Sequence, residues 1–159
     1  MNLVETLLFE PQRREVRTLI KGVSVTSEER AYFREYLKEY CEFEVLAYDL
    51  REILCEKVRA ILTRRDQKLR DFYDLYMLER AGLNVEDYAE EIVHKIRPML
   101  RYKRYKEALE RNRSRINISP ESMADSYELF LFVKEPDREE FKDFLARISR
   151  KLREIMDRI

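Results

Sequence analysis

Apolar residues change their spacing along this chain near residue 49. Before that point, short stretches alternate between apolar and polar: Leu3 to Phe9, Glu15 to Ile20 with Val16, Thr18 and Ile20 on one face, and Phe43 to Tyr48. A period of two belongs to a strand with one covered face, so short strands are expected there, the first two compatible with a hairpin around Pro11. Thr26 and Glu29 have the spacing of a capping box and open a helix through Tyr40, with Phe33 and Leu37 facing inward. From Asp49 on, the period becomes helical. Leu50, Ile53, Leu54, Val58 and Ile61 form one stripe, and Asp49 with Glu52 gives a cap signal. A basic link, Arg64 to Lys68, leads to a helix from Leu69 to Arg80 that stops at Ala81-Gly82.

Asn84 with Asp87 opens the next helix, and Pro98 closes it or begins another. Arg101 to Arg111 reads as helix with Tyr105 and Leu109 inward, and Asn112 to Ile118 as a loop. Ser119-Pro120 restarts a helix. Glu135-Pro136 begins the last, whose stripe is Phe141, Phe144, Leu145, Ile148, Leu152, Ile155 and Met156. The expected fold is α+β and predominantly α: short N-terminal strands followed by a helical bundle, divided as 1–48 and 49–159.

Composition narrows the function classes. The 159 residues carry 32 basic and 32 acidic side chains, so any nucleic-acid footprint must be local. Two glycines, Gly22 and Gly82, cannot build a glycine-rich phosphate loop. Cys41 and Cys55 form no CxxC pair, and His94 is the one histidine, which argues against zinc and for two reduced cysteines in a cytoplasmic protein. His94, near Ile92 and Ile96, reads as a core or boundary residue rather than a catalytic one. No secretory leader is read at the start, and the apolar run Leu129 to Val133 is too short to span a bilayer, so no membrane is expected. Abundant Glu, Lys and Arg with two glutamines would suit a thermophile.

The candidate chemistry lies between Glu52 and Leu78. At 100° per residue, Lys57 falls inside the stripe of Ile53, Leu54 and Ile61, where a lysine must snorkel, pair with a carboxylate or face a ligand. On the following helix Asp71, Asp74, Leu75 and Leu78 share a face, with Phe72 and Tyr76 beside it. One account is a structural ion pair between Lys57 and Asp71 or Asp74. The other has Lys57 on a nucleotide phosphate with Asp71 orienting it, since phosphoryl transfer needs cations at the transferring oxygens. From Lys95 to Arg115, nine basic residues stand against two acids, a local excess of seven, with Tyr102 and Tyr105 interleaved. Arg101, Lys103, Arg104, Arg111 and Arg113 with the two tyrosines would suit a single-stranded RNA end or a tRNA acceptor arm. A solvated basic helix paired with Glu86, Asp87, Glu90 and Glu91 is the alternative.

The string Glu56-Lys57-x-Arg59-Ala60, Arg64 and Arg70-Asp71-x-Tyr73-Asp74-Leu75-Tyr76-x-Leu78, preceded by Val45 to Glu52, resembles the AbiEii/AbiGii nucleotidyltransferase toxins. The resemblance covers roughly Phe43 to Arg80. It implies a polymerase-β-like nucleotidyltransferase core, of which the N-terminal strands would be a remnant, and a helical C-terminal domain. It further implies a role in type IV toxin–antitoxin and abortive-infection systems, with NTP as nucleotide donor and Mg2+ as metal. Lys57 carries over as the nucleotide-contacting lysine, with Arg64 beside it, and Asp71 as the acid of the RDxYD motif, with Arg70 and Asp74 supporting. Glu5 stands where a third metal-binding acid would fall, against the alternative of an exposed strand-edge glutamate.

The chain departs from the family where the metal is bound. It contains no Gly-Gly or Gly-Ser and no Asp-x-Asp, the pair that would hold two divalent ions. The expectation is a truncated or split nucleotidyltransferase, inactive alone, with no cofactor of its own unless a separate N-terminal catalytic half supplies the metal site. The alternative is a non-enzymatic helical module binding an antitoxin, another partner or a second copy of itself.

Overall fold

A computed structural model describes residues 6–16, 23–39, 43–116 and 136–159. Glu5, Cys41, the strand expected through Ile20 beyond Val16 and the helix expected at Ser119-Pro120 lie outside the described residues. The fold is α+β and predominantly α, a two-stranded antiparallel sheet followed by helices.

The chain divides into two compact units, one of residues 10–49 and one that joins 6–9 to 50–159. In the first, β1 (Gln12–Val16) pairs antiparallel with β2 (Phe43–Ala47), Gln12 opposite Ala47 and Val16 opposite Phe43. The sheet therefore joins the second expected strand region to the third. The described part of the first, 6–9, has no strand: its peptide groups bond to side chains of the helical unit. The Thr26 capping box forms as expected, with the Glu29 amide donating to Thr26 Oγ1 at 3.2 Å and the Thr26 amide donating to Glu29 Oε2 at 2.9 Å. Hydrogen bonds from Thr26 to the Glu29 carboxyl, that of the backbone amide first, hold it below its ordinary value. The helix it opens is broken at Phe33 into α1 (Ser27–Tyr32) and α2 (Arg34–Glu39), neither with a buried residue. Phe33, expected inward, is exposed.

The helical unit holds the core. α3 (Leu50–Thr63) packs against α4 (Leu69–Arg80), α5 (Ala89–Ile96) and α6 (Lys103–Arg115), and α7 (Arg138–Arg158) contacts all four. The α4 helix ends where Gly82 takes a φ of +90°, the left-handed conformation glycine adopts without strain. Pro98 sits in the first turn of a 3-10 segment, Arg97–Arg101, and so begins an element rather than closing one. All seven residues of the expected α7 stripe are buried, and Asp137 caps the helix by accepting the Glu140 amide at 2.9 Å. Phe141 and Phe144 stack 6.0 Å apart and meet Tyr76 edge-on. Each such ring removed from water contributes roughly 1.5–3 kcal/mol.

The loop expected from Asn112 does not start there. Asn112 lies within α6, almost fully buried, and its Nδ2 donates to the carbonyls of Ile61, Leu62 and Arg64 at 3.1, 2.9 and 2.9 Å. One amide thus satisfies the free carbonyls at the C-terminal end of α3, which have no partner within their own helix.

Candidate nucleotide site and basic helix

The α3 and α4 helices bring Lys57, Asp71, Asp74 and Arg64 together. Lys57 Nζ lies 3.2 Å from Asp71 Oδ1 and 2.5 Å from Asp74 Oδ2, while Arg64 Nη1 reaches Asp71 Oδ2 at 2.7 Å. The Asp71 side chain is 3 % exposed, so this buried carboxylate is paired on both oxygens. The cations are more open: the Lys57 side chain is 29 % exposed and that of Arg64 is 43 %. Burial works against the Lys57 ammonium, but Asp74 first and Asp71 second outweigh it and hold the lysine above its ordinary value. The ammonium is therefore charged near neutral pH and ion-paired, on a side chain that is only partly buried. Arg70 is on the exposed side of α4.

Mg2+ is poorly matched to these residues. Both Asp71 oxygens and Asp74 Oδ2 face cations, and no group of three metal-ligating side chains occurs among the described residues. Glu5 lies outside the described residues.

A second cluster occupies the next face of α3. Glu52 and Lys95 are an ion pair with side chains 2 % and 3 % exposed. Glu52 Oε2 also accepts the amides of Leu8 and Phe9 at 2.8 and 3.1 Å, and Lys95 Nζ donates to the Thr6 carbonyl at 3.0 Å. Glu56 approaches Lys95 at 3.6 Å and pairs with the buried Arg59, which reaches Thr63 and Met99. Sequence reasoning missed this cluster. Its signal is there to be read: Glu52, Cys55, Glu56 and Arg59 stand at i, i+3, i+4 and i+7, a charged face on an otherwise apolar helix. Cys55, within that face, is a free buried thiol, pushed up to about 12 by burial and then by the Glu52 charge.

The basic stretch separates into parts. Lys95 belongs to the sealed cluster and not to any surface. Arg113 ties α6 to α7, donating to the Met156 carbonyl at 2.7 Å and meeting Asp157 at 3.0 Å. Arg111 is half-buried, and Lys103 pairs with Glu107 at 3.6 Å. At the start of α6, rings and cations alternate. Arg101 lies 4.9 Å over the Tyr102 ring, Arg104 4.5 Å over Tyr105, and the two rings meet edge-on at 6.3 Å. Three of the four acids expected to neutralise this stretch are engaged elsewhere: Glu86 with Lys151 at 2.5 Å, Glu90 with Arg158 at 3.6 Å, and Asp87 with Asn84 at 3.3 Å. His94, expected in or at the core, is exposed beside buried Ile92 and Ile96. No described helix is long and apolar enough to cross a membrane.

No curated protein and no solved structure matches the chain. A family model does: that of the nucleotidyl transferase AbiEii toxin, type IV TA system, matches residues 5–154, well beyond the 43–80 stretch on which the motif rests. This chain belongs to the AbiEii family of nucleotidyltransferase toxins, a type IV toxin–antitoxin family.

Proposed function

We propose that the chain supplies the nucleotide-phosphate and RNA-facing helical half of an AbiEii-type nucleotidyltransferase and does not transfer nucleotides alone. The observation that carries this reading is Lys57, whose ammonium is fixed between Asp71 and Asp74 while its side chain is 29 % exposed, with Arg64 on the Asp71 carboxylate. Two cations held in place by a buried acid are pre-organised for a phosphate, because their positions need no reorganisation when charge arrives. In this role Lys57 and Arg64 contact the nucleotide phosphates, Asp71 holds both cations, and Asp74 and Arg70 support them. RNA, a tRNA acceptor end among the options, lies on α6, where Tyr102 and Tyr105 offer ring faces or edges and Arg101, Lys103 and Arg104 offer charge.

Inactivity follows from the metal chemistry. The sequence contains no Asp-x-Asp, and the buried carboxylate of the cluster, Asp71, has both oxygens on cations. The metal-binding half would be a separate polypeptide or segment, and a cytoplasmic location, an antitoxin counterpart and a role in abortive infection go with the same proposal. The test is magnesium-dependent labelling of RNA from radiolabelled NTP by the purified chain. No incorporation is expected; steady incorporation by the pure protein would overturn the reading.

A second reading is a non-enzymatic interaction module. It is favoured by the 10–49 unit, where Tyr32 is 83 % exposed, Leu46 73 % and Tyr36 60 %. Exposed apolar groups at this density mark contact surfaces, with a second copy of the chain as one partner. Sedimentation of the wild type against Leu46→Lys separates the readings: a dimer abolished by the substitution favours the module.

A further inference from the structure

Arg64 stands one residue past the end of α3, at the start of an exposed link, yet it is held at three points. Its amide donates to the Ala60 carbonyl at 3.0 Å and so extends the helical ladder by one residue. Its carbonyl accepts Asn112 Nδ2 at 2.9 Å. Its guanidinium reaches Asp71 Oδ2 at 2.7 Å. Arg65 and Asp66, which follow, are exposed. Asn112 comes from α6, is 1 % exposed, and gives the same amide to the carbonyls of Ile61 and Leu62 at 3.1 and 2.9 Å. An asparagine amide has two N–H groups, so three carbonyls share its whole donor capacity. A helix end needs partners for its last carbonyls, and beside an exposed link water is one source of them. A buried side chain from a neighbouring helix adds what water lacks, a fixed position.

We infer that Asn112 is a positioning residue of the nucleotide site and acts through Arg64. The inference rests on the nucleotide reading of the Lys57 cluster. An arginine on a frayed turn has both backbone and rotamer freedom to lose when it meets a phosphate, and that loss weakens binding. With Asn112 holding its carbonyl and Asp71 its head group, Arg64 is ordered before the ligand arrives. Lys57 is placed differently. It lies about two turns earlier, inside the α3 ladder, and its ammonium is fixed by Asp71 and Asp74. The effect of Asn112 on the site therefore passes through Arg64 and leaves the Lys57 contact as it is.

The test is ATP binding by isothermal titration to the full chain as wild type, Asn112→Ala, Arg64→Gln and the double variant, at a temperature where urea unfolding shows each to be folded. Asn112→Ala is expected to bind severalfold more weakly and Arg64→Gln about tenfold more weakly. The double variant should bind no more weakly than Arg64→Gln, the non-additivity that a role through Arg64 requires. In a Lys57→Gln background, by contrast, Asn112→Ala should keep its full effect. A purely structural Asn112 would lower the urea midpoint and leave the ATP affinity of the folded protein where it was. ATP affinity unchanged by Asn112→Ala, or lowered by the same factor with and without Arg64, overturns the inference and leaves the nucleotide site standing. No ATP binding by the wild type removes the nucleotide reading and the inference with it. Should Asn112→Ala not fold, Asn112→Ser, which keeps one donor, takes its place with a smaller loss in the same pattern. Hydrogen exchange in the wild type needs no variant: the Arg64 amide should be protected well above those of Arg65 and Asp66. An Arg64 amide that exchanges as fast as theirs is not held in place, and the inference falls.

Discussion

The two charged faces of α3 use the same residue types in opposite ways. On one, Glu52 and Lys95 are sealed together, and the remaining charges serve the scaffold. They fasten residues 6–9, hold Arg59 against Met99 and close around Cys55. On the other, Asp71 is equally buried, but the cations it holds reach solvent. A sealed ion pair carries a large desolvation cost and locks a fold. A half-open one keeps its cations fixed while leaving spare donors: Arg64 uses one guanidinium nitrogen on Asp71, on a side chain that is 43 % exposed. That difference in exposure, more than the presence of charge on an apolar helix, separates scaffold from candidate site.

The contrast is most easily broken at its sealed side. Lys95→Ala leaves the Glu52 carboxylate buried without its cation and should cost about 3–5 kcal/mol, read as a shift in the urea midpoint. A loss below about 1 kcal/mol, the range of exposed pairs, would mean that the cluster is not sealed. Next in size is Asp71→Ala, which removes the acceptor of both Lys57 and Arg64 and should cost about 1–3 kcal/mol. Lys57→Gln should cost no more than about 1 kcal/mol, since Asp71 keeps Arg64 and Asp74 turns to water. Should Lys57→Gln prove as destabilising as Lys95→Ala, both faces are structural and the nucleotide reading falls.

Much of this is legible in the sequence. Helical period alone puts Lys57 on a buried stripe, Asp71 and Asp74 on the facing helix, and all seven residues of the α7 stripe on one side. A sequence displays that period directly. Contacts between distant residues are not legible in the same way. Lys95 looks like one cation of a basic run because its partner, Glu52, is 43 positions away. Asn112 looks like a loop residue because asparagine is a poor helix former, and its compensation, two carbonyls of α3 and the Arg64 carbonyl just after it, comes from tertiary packing. The α1–α2 break at Phe33 escapes for a related reason: neither helix buries a residue, so little packing favours one continuous helix.

Two smaller effects sharpen the contrast through pH. The Lys57 value is raised above that of an unfolded lysine, so its contribution is complete below the ordinary lysine value and is lost as pH rises through the raised one. Alkaline unfolding of Lys57→Gln should therefore be flatter with pH than that of the wild type above the ordinary lysine range; identical slopes would contradict the pairing. Cys55, on the sealed face and pushed up to about 12, stays a thiol near neutrality. At about pH 8, below the free thiol value, it should resist a thiol reagent in the native protein and react on addition of denaturant. Rapid native labelling of Cys55 would show that this face opens.

The open cluster is proposed above all as a phosphate site. The most direct measurement of that role is NTP binding by isothermal titration to the wild type and to Lys57→Gln, with urea unfolding of both as the control for folding. Saturable binding by the wild type is expected, with binding by the variant weaker by about tenfold or more, the loss of roughly one charge-assisted contact, and nearly equal stability. Equal NTP affinity in the two proteins, or no NTP binding by the wild type, would contradict a phosphate site at Lys57.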